Sequence, residues 1–183
     1  MLNILYKYHF NFLLKRLLIV FSFLLLLIPP LFGINFTGNT GYSIPIGNWA
    51  THHNSAPFIS FGTDLIKKDY LSCGIGFDVS SFPGKLNSNY NLQIFSLGTG
   101  IKFYPFFFVK NHNLFINSIL SYGFMEKKLR NAIEKGRDFS ISTLIGAELK
   151  ISENWLISSS FGEKHFAGGI DVLIFAVGLE FRK

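Results

Sequence analysis

From about residue 35 to its end the chain alternates. In the last such run Leu173, Phe175, Val177, Leu179 and Phe181 fall on one face, and Ile174, Ala176, Gly178, Glu180 and Arg182 on the other, because successive residues of a strand point to opposite sides. The stretch from Asp138 to Ile151 does the same, with Phe139, Ile141, Ile145, Ala147 and Leu149 opposite Ser140, Ser142, Gly146, Glu148 and Lys150. Leu71, Cys73, Ile75, Phe77 and Val79 likewise oppose Ser72, Gly74, Gly76, Asp78 and Ser80, and Phe95, Leu97, Ile101 and Phe103 oppose Ser96, Gly98, Gly100, Lys102 and Tyr104. No segment after Gly33 keeps a 3.6-residue period over three turns. The pattern predicts eight strands, near 35–48, 57–66, 70–80, 90–104, 112–125, 138–151, 154–163 and 170–182.

The connections sort by length. Those after the first, third, fifth and seventh runs are long (GNWATHHNSA, SSFPGKLNSNY, MEKKLRNAIEKGRD, EKHFAGG), whereas those after the second and sixth are tight (KKD, SEN) and FFFVKN after the fourth is intermediate. Long loops at one end and short turns at the other are the layout of a membrane barrel. A soluble barrel also alternates, so the content of each face matters. The non-apolar face is mostly Gly and Ser with a few charges, Asp64, Asp78, Lys102, Glu148, Glu180 and Arg182. A water-facing surface usually carries many more Lys and Glu. Such a face suits the lumen of an eight-stranded barrel, which side chains just fill, and scattered acids and bases can pair there. Asp64, Lys102, Glu148, Glu180 and Arg182 are the candidate interior polar residues. The apolar face then meets lipid, where only helices and closed barrels satisfy the backbone. Trp49, Trp155, Tyr42, Tyr104 and Tyr122 lie near the ends of the runs, as interfacial girdles would.

Composition agrees. Half the residues are hydrophobic (49%), 22 are Phe, and only 15% are charged. The one cysteine, Cys73, excludes an intrachain disulfide and a cysteine-built zinc site. Of the net charge of +6, half comes from Lys7, Lys15 and Arg16, in an opening stretch without an acid. The remainder offers no basic stripe with interleaved aromatics, so nucleic-acid binding is not expected.

Residues 17–32 read LLIVFSFLLLLIPPLF after the Lys15-Arg16 pair. A cationic start, an apolar core of about a dozen residues and a small residue beyond it predict a signal-peptide helix over 1–33, the barrel occupying 34–183. An uncleaved inner-membrane anchor is the alternative; either way the rest of the chain leaves the cytoplasm.

The last run reaches the C-terminus, as expected of an even-stranded barrel that closes by pairing its last strand with its first. Its Gly178-Leu-Glu-Phe181 stretch resembles the outer-membrane assembly signal, a glycine ahead of an aromatic in the final strand, although Lys183 rather than an aromatic ends the chain. GYSIPIGNW (Gly41 to Trp49) and LGTGIKFYPF (Leu97 to Phe106) are similar to strands of the outer membrane protein beta-barrel domain family, the OmpA/OmpX-like small eight-stranded barrels. The resemblance implies an all-β, up-and-down transmembrane barrel in a Gram-negative-type outer membrane, with no fixed activity. It implies no cofactor, a monomer, and as partners outer-membrane lipids, lipopolysaccharide and the barrel-assembly machinery.

Candidate chemistry is thin. His52 and His53 in the first loop and His165 in the fourth come from neighbouring loops of a closed barrel, but no carboxylate at hairpin spacing completes a metal site. Ser159, Glu163 and His165 share one parity, and some eight-stranded barrels hydrolyse or acylate lipid A. In the deacylases a serine follows the histidine by two residues; here Ala167 stands there, and Ser159 lies about 20 Å along the strand from His165. The third long loop holds five basic and three acidic residues, Lys127, Lys128 and Arg130 among them. It has the composition of a short helix, with Glu126 and Arg130 at i,i+4; its bases either contact lipopolysaccharide phosphates or solvate the exposed end. The reading is a non-catalytic structural or surface-interaction barrel. A narrow porin-like channel, a lipid A enzyme and a soluble periplasmic ligand-binding barrel are the alternatives.

Overall fold

The computed structural model describes residues 35–85, 90–105, 113–129 and 132–182; the expected signal segment 1–33 lies outside them. Eight strands follow in chain order: β1 (Phe36–Pro45), β2 (Ala56–Lys68), β3 (Leu71–Pro83), β4 (Tyr90–Phe103), β5 (Asn113–Leu129), β6 (Ala132–Lys150), β7 (Trp155–Phe166) and β8 (Ile170–Phe181). Each pairs antiparallel with the one before it, and β8 pairs with β1 over ten residue pairs, from Phe36↔Phe181 to Pro45↔Val172. The sheet is a closed barrel without an edge. Both ends of the barrel chain therefore lie at one mouth, called here the terminal end. The other mouth, the loop end, carries the 46–55 segment with its 3-10 turn Gly47–Thr51.

The register sets the dimensions. Following partners across the ladder from Phe36 leads through Thr63, Ile75, Thr99, Leu120, Ile141, His165 and Asp171. The Asp171 carbonyl accepts the Ile46 N–H at 2.9 Å. One circuit thus starts at residue 36 and returns to β1 at residue 46, a stagger of ten residues. With ordinary strand spacing and rise, eight strands at this stagger tilt by roughly 40° around a bore of about 8 Å backbone radius. Ten residues then climb about 25 Å, the height of a transmembrane apolar band.

Two connections differ from the lengths expected. The fifth is no helix or long loop: β5 and β6 run on to Leu129 and Ala132. Cross-strand opposite charges hold this extension, Lys127 facing Glu134 in the ladder with Nζ 3.0 Å from the carboxylate. The seventh is a tight turn, because Glu163–Phe166 belongs to β7; Gly169 takes φ 81° and donates to the Phe166 carbonyl at 2.9 Å.

Outward residues are large and apolar and stand open. Ile75, Leu97, Ile101, Leu120, Ile145 and Val177 are each 48–62% exposed. The inward face has three layers. At the loop end Phe58, Phe82, Leu92, Ile94, Phe166 and Val172 form an apolar plug. Below it lie hydroxyls and amides, such as the Ser121–Ser140 pair at 2.8 Å and Asn39 donating to Ser60 at 3.1 Å. At the terminal end the interior is charged.

Candidate functional site

The charged layer is built by β2, β4, β6 and β8, each presenting an inward residue at the same height. Glu180 and Glu148 are buried. Lys102 Nζ donates to Glu148 at 2.9 Å and to Glu180 at 3.3 Å. Arg182 bridges the two acids, its Nε donating to Glu180 and its Nη2 to Glu148. Lys67 Nζ donates to Glu180 at 2.8 Å, and the Tyr104 hydroxyl donates to Glu148 at 3.0 Å. The structure so brings Lys102, Glu148, Glu180 and Arg182 together. Asp64 sits at the margin, 3.7 Å from Lys67, with Oδ2 buried and lacking a hydrogen bond.

Strict period two hid Lys67. From Asp64 alternation would turn Lys67 outward, but the ladder slips between Asp64 and Ile66, so that Leu65 and Ile66 are both exposed and Lys67 turns in. Tyr104 is not a girdle residue: at 3% exposure it is an interior hydrogen-bond donor. Trp49 also leaves the girdle, packing at the loop-end mouth against Phe82 (5.1 Å) and His53 (4.1 Å). Lys164, a fourth inward cation, follows the parity of β7. It holds both Asp78 oxygens at 2.9–3.0 Å and Ser96 Oγ at 3.1 Å, halfway up the bore.

The interior thus carries four acids, Asp64, Asp78, Glu148 and Glu180, and four bases, Lys67, Lys102, Lys164 and Arg182. A cavity of about 180 Å³ lies among them, lined from all eight strands by glycines and hydroxyls together with apolar side chains such as Phe58, Phe115 and Leu144. It has room for several waters with polar partners. It reaches from the apolar plug, at Phe58, Phe82 and Phe166, to Asp64 and Lys102 of the charged layer.

Gly178 faces inward, where an added Cβ would collide with the Asn39 amide and the Ser158 hydroxyl. Phe181 is buried at the terminal rim, edge-on to Trp155 at 5.1 Å. His52 is exposed. His53 is buried, stacked between Trp49 and Tyr90, its Nδ1 without a partner. Burial, then the nearby His52 and Lys127 charges, lowers its pKa below 6.5. His165, half exposed, lies apart from it at the start of the β7–β8 turn. Its Nδ1 meets Asp171 at 2.9 Å and its Nε2 meets Glu163 at 3.0 Å. Two carboxylate partners require an imidazolium, and the Asp171 hydrogen bond first, then the two acids' charges, raises its pKa above 6.5. Lys127 and Lys128 are in the β5 extension, paired to Glu134 and Glu126; Arg130 lies outside the described residues. No group of three or more His, Cys, Asp or Glu side chains able to hold a metal ion occurs among the described residues. Ser159 faces outward, with Ala147 and Val177 as its ladder partners, while both ring nitrogens of His165 face carboxylates.

Inside polar and charge-balanced, outside apolar, closed by eight antiparallel strands: the molecule belongs to the class of small barrels whose polarity is inverted relative to proteins in water. Solved structures of that class share its fold. Neisserial surface protein A superimposes with a TM-score of 0.63 at 10% identity, over 82% of this chain and 97% of that one. Ail, the attachment invasion locus protein of Yersinia pestis, gives 0.56 at 11% identity, over 81% and 97%. The N-terminal β-barrel domain of Pseudomonas aeruginosa OprF gives 0.55 at 9% identity, over 81% and 98%. No family model matches the sequence, and no curated protein matches it. The fold is that of the small eight-stranded outer-membrane barrels.

Proposed function

We propose that the chain is a non-catalytic integral outer-membrane barrel of Gram-negative type, exported by its N-terminal segment, with a structural or surface-interaction role. The observation that carries this reading is the bore: a barrel with an apolar exterior whose interior is stopped twice, by the apolar plug and by a neutral ion-pair network. Open apolar side chains around the whole wall would be an aggregation surface in water; in lipid they are the solvated face. The terminal end then faces the periplasm and the loop end faces outward, carrying the β5–β6 extension as the most prominent surface. One structural neighbour is a surface protein and another an attachment invasion locus protein; presentation of the loop end to a partner is the corresponding role here. Outer-membrane lipids, lipopolysaccharide and the assembly machinery, reading the Gly178–Phe181 strand, are the expected partners of a monomer.

The two stoppers in series weigh against a porin-like channel. The geometry around His165 weighs against lipid A chemistry, since its partners are two carboxylates and no hydroxyl nucleophile.

The first test is gel mobility of detergent-folded protein, boiled against unboiled. A closed membrane barrel runs at two apparent masses; a single mass, with protein soluble after detergent removal, would return the apolar face to the inside and restore the soluble-barrel reading. Leu97→Arg sharpens it. Leu97 is 57% exposed in mid-wall, so the change is harmless on a water-facing surface but costs about 2–4 kcal/mol in a bilayer.

A further inference from the structure

The cations of the β5–β6 extension fall into two kinds. Lys127 and Lys128 are neutralised, by Glu134 at 3.0 Å and Glu126 at 3.1 Å. Lys135 and Arg137 have no carboxylate partner among the described residues. Both point outward, toward the wall's exterior, and Arg137 stands over the Phe124 ring, 5.8 Å from its centroid.

Register explains what these two share. Val79, Phe95, Phe124 and Arg137 are successive partners in one cross-strand row through β3, β4, β5 and β6. The next row toward the loop end runs Ser81, Gln93, Glu126, Lys135. Because rows climb toward the loop end as they pass around a tilted barrel, the first begins in the apolar band and ends on a guanidinium at its upper margin. All of these but Ser81 line a groove on the outer surface. Its floor is apolar and open, Val79, Phe95 and Phe124 each being 42–44% exposed. Its upper lip carries Arg137 and Lys135, while the Glu126 carboxylate, opposite Lys135 in the ladder, turns away to Lys128.

We propose that this groove is a docking site for a phosphorylated lipid of the outer leaflet, with acyl chain along Val79, Phe95 and Phe124 and phosphate between Arg137 and Lys135. Charge complementarity selects the headgroup: two unpaired cations, one a planar fork suited to phosphate oxygens. The apolar floor directly beneath selects a lipid over a soluble anion. Held on a ring face, the guanidinium keeps its fork directed at the headgroup layer. The inference rests on the membrane placement proposed above.

The test is native mass spectrometry of the full barrel in micelles, titrated with diphosphorylated lipid A and with the same lipid stripped of its phosphates. The phosphorylated lipid should bind roughly tenfold or more tightly. Lys135→Gln with Arg137→Gln should abolish that preference, Arg137→Lys should keep part of it, and Lys127→Gln, whose carboxylate partner Glu134 lies outside the groove, should leave it intact. Equal binding of the two lipids by the wild type overturns the site, whether or not the double variant folds; so does full preference in a folded double variant. Failure of the gel shift in the wild type would instead remove the membrane reading itself.

Discussion

Glu180 is the most demanding side chain in the molecule. It is fully buried, and Lys67, Lys102 and Arg182 all donate to it. Glu180→Gln keeps the shape and removes the charge, leaving three cations to share Glu148 and Asp64. Removing one partner from a buried network costs about 3–5 kcal/mol, so the variant should lose its folded gel band at distinctly lower temperature. Glu134→Gln breaks the exposed pair with Lys127 and should cost under about 1 kcal/mol; equal losses would mean the interior is well hydrated and screened. The loop histidines separate by sign. His165, favoured as imidazolium, stabilises the β7–β8 turn below pH 6.5, and this contribution fades as pH rises through its elevated pKa. His53, favoured neutral, leaves the mouth cap stable above pH 6.5 and weakens it as pH falls below that value. An NMR titration of imidazole resonances in micelles should place one midpoint on each side of 6.5; coincident midpoints would contradict both environments.

Strands were legible because a wall with large apolar groups outside and small polar groups inside writes strict alternation into the sequence. Alternation failed where that contrast is missing. Lys127, Lys128 and Ala132–Lys135 are solvated on both faces, so charge replaces hydropathy as the ladder's support, and the sequence there reads like a helix or loop. The bulge after Asp64 broke the count and concealed Lys67; Tyr104, at the inward parity, was hidden by the expectation of an aromatic girdle. Of the charged layer, Lys102, Glu148, Glu180 and Arg182 could be placed on one face from parity alone, but their meeting depends on the stagger of the strands, which no single run contains. The β1–β8 seam makes that stagger testable. An added Cβ at Gly41 would run into the Phe175 carbonyl and the Ala176 Cα, whereas one at Gly38 would meet the Phe61 ring at an ordinary 3.6 Å. Gly41→Ala should therefore destabilise the folded barrel by about 1–3 kcal/mol, and Gly38→Ala should be close to neutral. Urea midpoints in micelles compare the two; equal values would mean that the seam is not drawn this tightly.

A barrel of eight strands has no spare width, so whether it conducts is decided by what fills it. Here the filling is of two kinds placed in series. At the loop-end mouth Phe58, Phe82, Ile94 and Phe166 exclude water by volume, capped by Trp49 and His53. At the terminal mouth Lys67, Lys102, Glu148, Glu180 and Arg182 close the bore by bonding across it. The charged groups lining the cavity between them, Asp64, Asp78, Lys102 and Lys164, cancel, so it supplies no field to draw an ion past either stopper. Resistances in series are governed by the largest. Phe58→Ala with Phe82→Ala should thus open the loop-end half without producing steady current in planar bilayers, because the ion-pair layer remains. Lys102→Ser with Glu148→Ser alone should also stay closed, held by the apolar plug. Only the combination should conduct, and with weak ion selectivity, since the substitutions remove one acid and one base together. Steady conductance from the unaltered protein would refute the two-stopper account and return the channel reading to first place.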